Sequence, residues 1–167
     1  MAPQAQLFYN DYNLESGAAK TAGALRIVKL VQSYGVKING VGLQAHLASE
    51  VTATADQAAP SRDVLVNTLS SFTALGVDVA YTELDVRFTL PATPAKVQAQ
   101  AKVFSDVVGS CLAVKRCVGI TVWVSSACFV YLSIYPSIHP SIHPIHHETP
   151  CSPPLQVPIG PPLTYSS

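Results

Sequence analysis

The sequence predicts an α/β fold in which strands and helices alternate around a parallel sheet. Short apolar stretches alternate with amphipathic helical patterns in the order strand–helix, three times, followed by a fourth strand. Each strand pattern ends at a polar or aromatic residue, and these residues are Asn10, Gln44, Glu83 and Trp123. Successive strand ends lie roughly 34–40 residues apart, which is typical of strand–helix units in a parallel sheet. Four such units amount to about half of an eight-stranded barrel, which usually requires ~250 residues.

An open, doubly wound sheet is the alternative arrangement of the same elements. The sequence favours the barrel because no glycine-rich phosphate-binding loop follows any of the predicted strands. The length of 167 residues is that of one domain.

Composition excludes several classes of function. The chain has 10 basic and 10 acidic side chains and no run of Lys and Arg, so we expect no nucleic-acid partner. The apolar run at 119–135 is shorter than the usual ~20 residues of a membrane helix and includes a predicted strand, so we expect no membrane span. The first residues lack the charged start and apolar stretch of a signal peptide. The four cysteines are too few and too scattered for a disulfide scaffold.

The first elements follow from apolar periodicity and from glycine. A short strand is predicted at 7–9, and apolar residues at helical spacing predict a helix over 18–33. Gly35 suits the left-handed residue that commonly ends a helix. The second strand pattern, 37–43, is followed by polar residues.

The later elements carry clearer boundary signals. Ser61 is the predicted N-cap of the second helix, and Gly76 ends it. Thr93, followed by a proline at the first helical position, begins the third helix, and Gly109 is predicted to close it. The fourth strand is predicted at 118–123.

The stretch 77–86 is the centre of the predicted sheet. It begins as an apolar, β-branched run and ends in two carboxylates, Glu83 and Asp85. Residues two apart on a strand point to the same side, so these two acids should share a face. In barrels of alternating strands and helices, such strand ends carry the active site. Two exposed acids in a turn are the alternative interpretation.

The end of the chain changes character. The tetrapeptide Ser-Ile-His-Pro repeats in 133–144, with one Tyr in place of His, and proline-rich sequence of this kind is expected to be disordered. A four-base repeat read in triplets produces a four-residue period, so we hypothesise that the tail is a non-coding repeat read through. Spliced transcripts that all encode this tail would contradict the hypothesis. The histidines here come from the repeat, so we predict no metal site.

Four stretches of the sequence resemble, in order, the family 10 glycoside hydrolases, the endo-1,4-β-xylanases of the (β/α)8 TIM barrel type. They are LFYNDYN at 7–13, GVGLQAHL at 40–47, TELDV at 82–86 and GITVW at 119–123. These stretches are similar to the family's strands 5, 6, 7 and 8. The resemblance implies that residues 1–123 form the C-terminal half of such a barrel, followed by a low-complexity, disordered tail at 124–167.

The resemblance also implies a reaction, the retaining hydrolysis of β-1,4-linked xylan, which two carboxyl groups perform. Glu83 matches the nucleophile. His46 and Asp85 match neighbours that hydrogen-bond around it and fix its orientation and charge state. The alternative for His46 is a structural residue, which is the commoner role of a lone histidine after a strand.

Further positions match sugar-binding groups of the family. Gln44 matches a polar contact to the sugar at the cleavage point, and Asn10 and Tyr12 match groups on the acceptor side. Trp123 matches an aromatic platform on the donor side, where a ring lies against sugar C–H groups. The alternative for Tyr12 and Trp123 is a place in the core.

The resemblance carries expectations about the rest of the protein. Cys111 and Cys117 match a pair that fungal members commonly bridge, which suits a secreted, extracellular protein; two buried free thiols are the alternative. No metal or organic cofactor is implied, since two carboxyls suffice. The expected partner is xylan or a xylo-oligosaccharide, and the family protein is expected to be a monomer.

The chain departs from the family at one decisive point. The family's general acid lies in an Asn-Glu pair after the fourth strand, whereas this sequence begins at the fifth. We therefore expect the chain expressed alone to be poorly soluble and inactive on xylan. The alternatives are a non-catalytic, carbohydrate-binding product and a related barrel glycosidase acting on cellulose. The pairs Gln44/His46 and Glu83/Asp85 favour xylanase over the latter.

Overall fold

The computed structural model of the chain describes residues 5–123 and the backbone of Gln156–Pro158. The strands are β1 (Phe8–Asp11), β2 (Gly40–Leu43), β3 (His46–Ala48), β4 (Asp78–Arg87), β5 (Cys117–Val122) and β6 (Gln156–Pro158). The helices are α1 (Ala19–Ser33), α2 (Arg62–Thr73) and α3 (Pro94–Ala113).

The strands form one sheet in the order β1-β2-β4-β5-β6, with β3 beside β4. All pairs among β1 to β5 are parallel, and only β6 runs antiparallel to its neighbour β5. A helix follows β1, β3 and β4, so the predicted alternation of strands and helices around a parallel sheet is confirmed.

The core lies between the sheet and the helices. The largest fully buried side chains come from β2, β4 and the residue before it, the loop after β1, and helices α1 to α3. They are Tyr81, Phe72, Leu14, Leu43, Leu65, Leu69, Leu84, Val28, Val41, Val77, Val79 and Val107. The Tyr81 hydroxyl lies 2.9 Å from Ser110 Oγ on α3, and Ser110 Oγ donates to the Val107 carbonyl at 2.7 Å. Burial raises the pKa of the Tyr81 phenol, so this hydroxyl stays neutral and needs its partner.

Local signals set most helix boundaries. Ser61 Oγ accepts a hydrogen bond from the Val64 amide, and Thr93 Oγ1 accepts one from the Lys96 amide, as N-caps do. Gly35 and Gly76 follow α1 and α2 in the left-handed region, with φ of 66° and 77°. Within the described residues, no helix is long and apolar enough to cross a membrane.

The prediction that Gly109 closes the third helix is wrong, because α3 continues to Ala113. The glycine serves a contact between two helices instead. Arg62 at the start of α2 donates from Nη2 to the Gly109 carbonyl at 2.9 Å. A Cβ on Gly109 would lie 2.7 Å from the Arg62 Cζ. A residue without a side chain at this position therefore leaves room for the Arg62 guanidinium.

The predicted second strand, 37–43, is also shorter than expected. Pairing begins at Gly40, and after Leu43 the chain turns and resumes as β3. Between β2 and β3, Ala45 has a φ of 61°, a left-handed conformation that is uncommon outside glycine.

The expected tail, 124–167, lies outside the described residues except for β6. There the structure has a strand, with Val157 opposite Ile120 of β5, in place of the irregular chain we expected. The disorder expected for the rest of the tail therefore stays a prediction.

The buried hydroxyl pair of Tyr81 and Ser110 leads to a stability prediction. Ser110→Ala leaves the Tyr81 hydroxyl buried without its partner, so it should lower the free energy of unfolding by about 1–3 kcal/mol. Tyr81→Phe leaves Ser110 bonded to the Val107 carbonyl and should cost only about 1 kcal/mol. Urea unfolding of the two variants measures the difference.

Ser71→Ala is the matched control for this comparison. Its hydroxyl also donates to a helical carbonyl, that of Thr68, at 2.7 Å, and within the described residues it has no hydrogen bond with a phenol. We expect a change within about 0.5 kcal/mol. A larger loss for Tyr81→Phe than for Ser110→Ala would contradict the proposed role of the hydroxyl pair.

Candidate active site

The centre of β4 interrupts the alternation of an ordinary strand at Thr82 and Glu83. Val79 and Tyr81 are buried before the interruption, and Leu84 is buried after it, so the buried face shifts by one residue. The pairing with β5 shifts at the same place. This irregularity turns two consecutive side chains, Thr82 and Glu83, towards the same neighbour on β1.

That neighbour is Asn10, at the carboxyl end of β1. Thr82 Oγ1 donates to Asn10 Oδ1 at 2.7 Å, and Asn10 Nδ2 donates to Glu83 Oε1 at 3.2 Å. The strand between them, β2, presents Gly42 at this level. A Cβ on Gly42 would lie 2.8 Å from Thr82 Cγ2 and closer still to Asn10 Oδ1. The glycine therefore opens the space through which β1 reaches β4.

His46, the first residue of β3, connects the two carboxylates of β4. Its Nε2 lies 3.3 Å from Glu83 Oε2, and its Nδ1 lies 2.9 Å from Asp85 Oδ2. The contact with Asp85 is a hydrogen bond, and the contact with Glu83 is within ion-pair distance. Glu83 and Asp85 thus both face the His46 ring. Glu83 Oε1 lies beside Asn10 Nδ2, and Glu83 Oε2 lies beside His46 Nε2.

Gln44 and Trp123 border this cluster. The Gln44 carbonyl accepts the Glu83 amide at 3.0 Å, which brings Gln44 beside Glu83. The Trp123 ring lies 5.3 Å from the His46 ring, centroid to centroid, with the planes tilted by 50°. The Trp123 side chain is 51% exposed, so it offers a free aromatic surface and is not a core residue.

Tyr12 lies apart from the cluster, in the loop after β1, and is 54% exposed. The Lys20 ammonium lies 3.2 Å from the centroid of its ring, a cation–π contact that fixes the ring. Asp11 Oδ1 accepts hydrogen bonds from the Lys20 ammonium and from the Tyr12 amide, both at 2.8 Å. The core alternative is therefore wrong for Tyr12 as well.

The Asp11 carboxyl also accepts a hydrogen bond from the Tyr9 hydroxyl, at 2.6 Å. That bond and, to a lesser extent, burial raise the pKa of Tyr9 to about 12. Burial raises the pKa of Asp11, but the hydrogen bonds from Lys20, Tyr9 and the Tyr12 amide outweigh it and lower this pKa below its usual value. Sequence reasoning did not predict this network, although Tyr9 and Asp11, two residues apart on a strand, lie on the same face.

A second residue that sequence reasoning missed is Glu15. It is 3% exposed, and its Oε1 accepts the Ala45 amide at 2.7 Å. Burial raises the pKa of its carboxyl above the usual value. No pattern in the sequence distinguishes it from an exposed acid near a helix start.

Beside His46, an open cleft of about 330 Å³ lies between the loop after β1 and the loop after β3. Its lining mixes apolar with polar residues, and the polar ones besides His46 are Asn13, Glu15, Ser16, Lys20, Thr54, Asp56, Gln57 and Arg87. Among the described residues, no group of three His, Cys, Asp or Glu side chains is arranged to hold a metal ion.

Cys111, near the end of α3, and Cys117, at the start of β5, form a disulfide with sulfurs 1.98 Å apart. The alternative of two free thiols is therefore wrong. The bond ties α3 to β5, the strand that directly precedes Trp123.

Comparison with known proteins identifies the family to which the chain belongs. The model of glycosyl hydrolase family 10 matches residues 1–128 of the 167. The chain belongs to glycosyl hydrolase family 10. It is 61% identical over 121 residues to endo-1,4-beta-xylanase 1 of Gibberella zeae, covering 72% of this chain and 34% of that protein. It is 66% identical over 119 residues to endo-1,4-beta-xylanase 2 of Aureobasidium pullulans, covering 71% of this chain and 33% of that protein.

Solved structures of the family agree with the fold. A GH10 xylanase from Bispora sp. MEY-1 with xylobiose superposes with a TM-score of 0.67 at 36% identity, covering 80% of this chain and 37% of that one. A Penicillium canescens endo-1,4-beta-xylanase gives 0.66 at 34% identity, covering 80% and 38%. The chain spans about a third of the length of the curated relatives it matches.

The place of Gly42 between Asn10 and Thr82 leads to a test of the site. Gly42→Ala should push the Asn10 side chain away from both Thr82 and Glu83, because the added methyl occupies the space of Asn10 Oδ1. The Asn10 side-chain amide protons, assigned in ¹⁵N NMR spectra with Asn10→Ser, should shift.

Gly119→Ala on β5 is the matched control, since a Cβ there meets nothing within 4 Å. It should leave the Asn10 amide resonances at their original positions. Unchanged Asn10 resonances in Gly42→Ala would show that Gly42 does not shape the contact.

Proposed function

We propose that this chain supplies strands 5 to 8 of the (β/α)8 barrel of a retaining endo-1,4-β-xylanase, with Glu83 as the nucleophile. Residues 1–123 supply the barrel part, and the sequence at 124–167 does not belong to it, although Gln156–Pro158 pairs with β5. The observation that carries the proposal is the position of Glu83. Its Oε1 lies beside Nδ2 of Asn10, near the carboxyl end of β1, and its Oε2 lies beside Nε2 of His46, which follows the carboxyl end of β2. Strand ends of this kind hold active sites in such barrels.

The contacts explain how Glu83 acts. An ionised carboxylate attacks the anomeric carbon, the bond to the leaving oxygen breaks, and water later hydrolyses the glycosyl-enzyme bond. The hydrogen bond from Asn10 Nδ2 and the His46 ring beside Oε2 fix the orientation of Glu83. Asp85, which accepts from His46 Nδ1 at 2.9 Å, holds the imidazole in place.

The groups around the cluster suit a xylan chain. Trp123 offers a ring surface beside His46 for stacking on a sugar, and Gln44 lies beside Glu83 as a polar contact at the cleavage point. Asn10 and Tyr12 serve the acceptor side, with the Tyr12 ring fixed by Lys20. The names of the relatives support xylan or xylo-oligosaccharides as substrate.

The disulfide between Cys111 and Cys117 favours an extracellular protein, since such bonds persist in oxidising compartments. The mechanism uses carboxyl groups alone, so we propose no metal or organic cofactor. We propose that the complete protein acts as a monomer and binds neither nucleic acid nor membranes.

Within residues 5–123, the two carboxyls of the cluster, those of Glu83 and Asp85, both contact His46. Neither is free to protonate a leaving oxygen on the other side of the bond, which retaining hydrolysis also requires. This favours a second candidate function for the chain alone, carbohydrate binding without cleavage.

The nucleophile can be trapped chemically. A 2,4-dinitrophenyl 2-deoxy-2-fluoro-β-xylobioside should label the chain, because its leaving group departs without an acid and the fluorine slows hydrolysis of the intermediate. Mass spectrometry should locate one fluoroxylobiosyl group on the peptide that contains Glu83. Glu83→Gln should abolish labelling, and Asp85→Asn should slow it without moving it. Equal labelling of Glu83→Gln would contradict the assignment.

A pair of substrates separates the two candidate functions. General acid catalysis contributes about 10²–10⁴-fold, so the chain alone should show no measurable turnover of xylan in a reducing-sugar assay. It should still release dinitrophenol from the unfluorinated dinitrophenyl β-xylobioside, and Glu83→Gln should not. Turnover of xylan by the purified chain would overturn the first expectation. Calorimetric binding of xylo-oligosaccharides without any labelling would favour the carbohydrate-binding alternative.

A further inference from the structure

Glu15 is a buried carboxylate that the proposed mechanism does not use. It lies in the loop between β1 and α1, 3% exposed. Its Oε1 accepts the backbone amide of Ala45 at 2.7 Å, a bond between residues 30 positions apart. Where water is excluded, such a hydrogen bond to a carboxyl oxygen is stronger than it would be in water.

The amide that Glu15 holds belongs to an unusual turn. Ala45 has a φ of 61°, which a residue with a Cβ adopts only where the surroundings hold it there. The turn separates β2 from β3 and changes the register against β4. Leu43 pairs with Tyr81, but His46 pairs with Asp85, so two residues on one side span three on the other.

The backbone of this turn is fastened to the same segment of β4 that carries the cluster. The Gln44 carbonyl accepts the Glu83 amide at 3.0 Å, and the Ala45 carbonyl accepts the Asp85 amide at 3.2 Å. His46 follows at once, and its ring reaches both carboxylates. The position of the imidazole therefore depends on how Ala45 is held.

Glu15 is itself anchored from two helices. Thr68 Oγ1 on α2 donates to the Glu15 carbonyl at 3.2 Å, and Thr21 Oγ1 on α1 donates to the Leu14 carbonyl at 2.8 Å. All four residues are buried. These bonds hold the backbone at Glu15 in place, so its side chain offers the Ala45 amide an acceptor at a fixed position.

We propose that Glu15 is a positioning residue, which accepts the Ala45 amide and so holds the turn that places His46 between Glu83 and Asp85. The importance of this position for catalysis rests on the proposed function of Glu83. The placement of His46 is a separate, structural matter that can be measured without any reaction.

Two substitutions distinguish position from charge. Glu15→Gln removes the charge but keeps an oxygen at the same reach, so the Ala45 amide retains an acceptor. Glu15→Asp keeps the charge but is one methylene shorter, so the acceptor withdraws from Ala45. A positioning role predicts that Glu15→Gln resembles the parent chain and Glu15→Asp does not. A role through charge alone predicts the reverse.

The measurement is ¹⁵N NMR of the whole chain, with the His46 ring nitrogens assigned by their loss in His46→Gln. In Glu15→Asp we expect both His46 ring resonances and the Ala45 amide proton to shift, and in Glu15→Gln we expect them near their original positions. Glu50→Asp is the control, because Glu50 also accepts a backbone amide, that of Thr89, at 2.8 Å. It should leave the His46 resonances unchanged.

His46 resonances that stay in place in a folded Glu15→Asp, or that move as far in Glu15→Gln, would overturn the proposal. If Glu15→Asp does not fold, Thr68→Val provides the same test, since it removes the hydroxyl that anchors the Glu15 carbonyl. We expect it to shift the His46 ring resonances, and unchanged resonances in this variant would also overturn the proposal.

The labelling of Glu83 then separates the two proposals. A misplacement of ~1 Å can cost on the order of 100-fold in rate, so Glu15→Asp should slow the maximal labelling rate by up to this factor with little change in reagent affinity. Shifted His46 resonances without labelling in the parent chain would leave the positioning role intact and refute the role of Glu83. Labelling at Glu83 with unmoved His46 resonances would do the opposite.

Discussion

The contact of one imidazole with two carboxylates governs the arrangement around it. His46 lies 3.3 Å from Glu83 and 2.9 Å from Asp85, and both acids belong to β4. Two carboxylates close together on one strand repel each other, and a group with a nitrogen for each relieves that repulsion. The position of the imidazole follows from the short strand β3, which begins at His46 and pairs with Asp85. A site of this kind therefore depends on β3 pairing with β4 in a register that differs from that of β2.

Two glycines of β2 shape the face of the sheet that carries the cluster. Gly40 and Gly42 on β2 lie between larger residues of the neighbouring strands, and a Cβ at either would collide with Phe8 or Asn10. The two glycines let side chains from β1 extend over β2. As a result Asn10 bridges to Glu83 across a strand that contributes no side chain at that point.

Sequence reasoning succeeded where the cause of a feature is local. The caps at Ser61 and Thr93 and the left-handed Gly35 were predictable because each satisfies the ends of a helix within a few residues. It failed for Gly109 because the reason for that glycine is Arg62, 47 positions earlier in the chain. It also missed the turn at Ala45, whose conformation is held by contacts from other parts of the chain.

The sequence by itself determined the order of strands and helices, the helix caps and the kinds of side chain found at the strand ends. These depend on periodicity and on hydrogen bonds between near neighbours. Only the tertiary structure decided that Thr82 and Glu83 face the same way, that Glu15 is buried beneath the turn at Ala45, and that the Asn10 amide meets Glu83. The physical reason is distance along the chain: the last of these contacts joins residues 73 positions apart, and packing of the whole sheet brings them together.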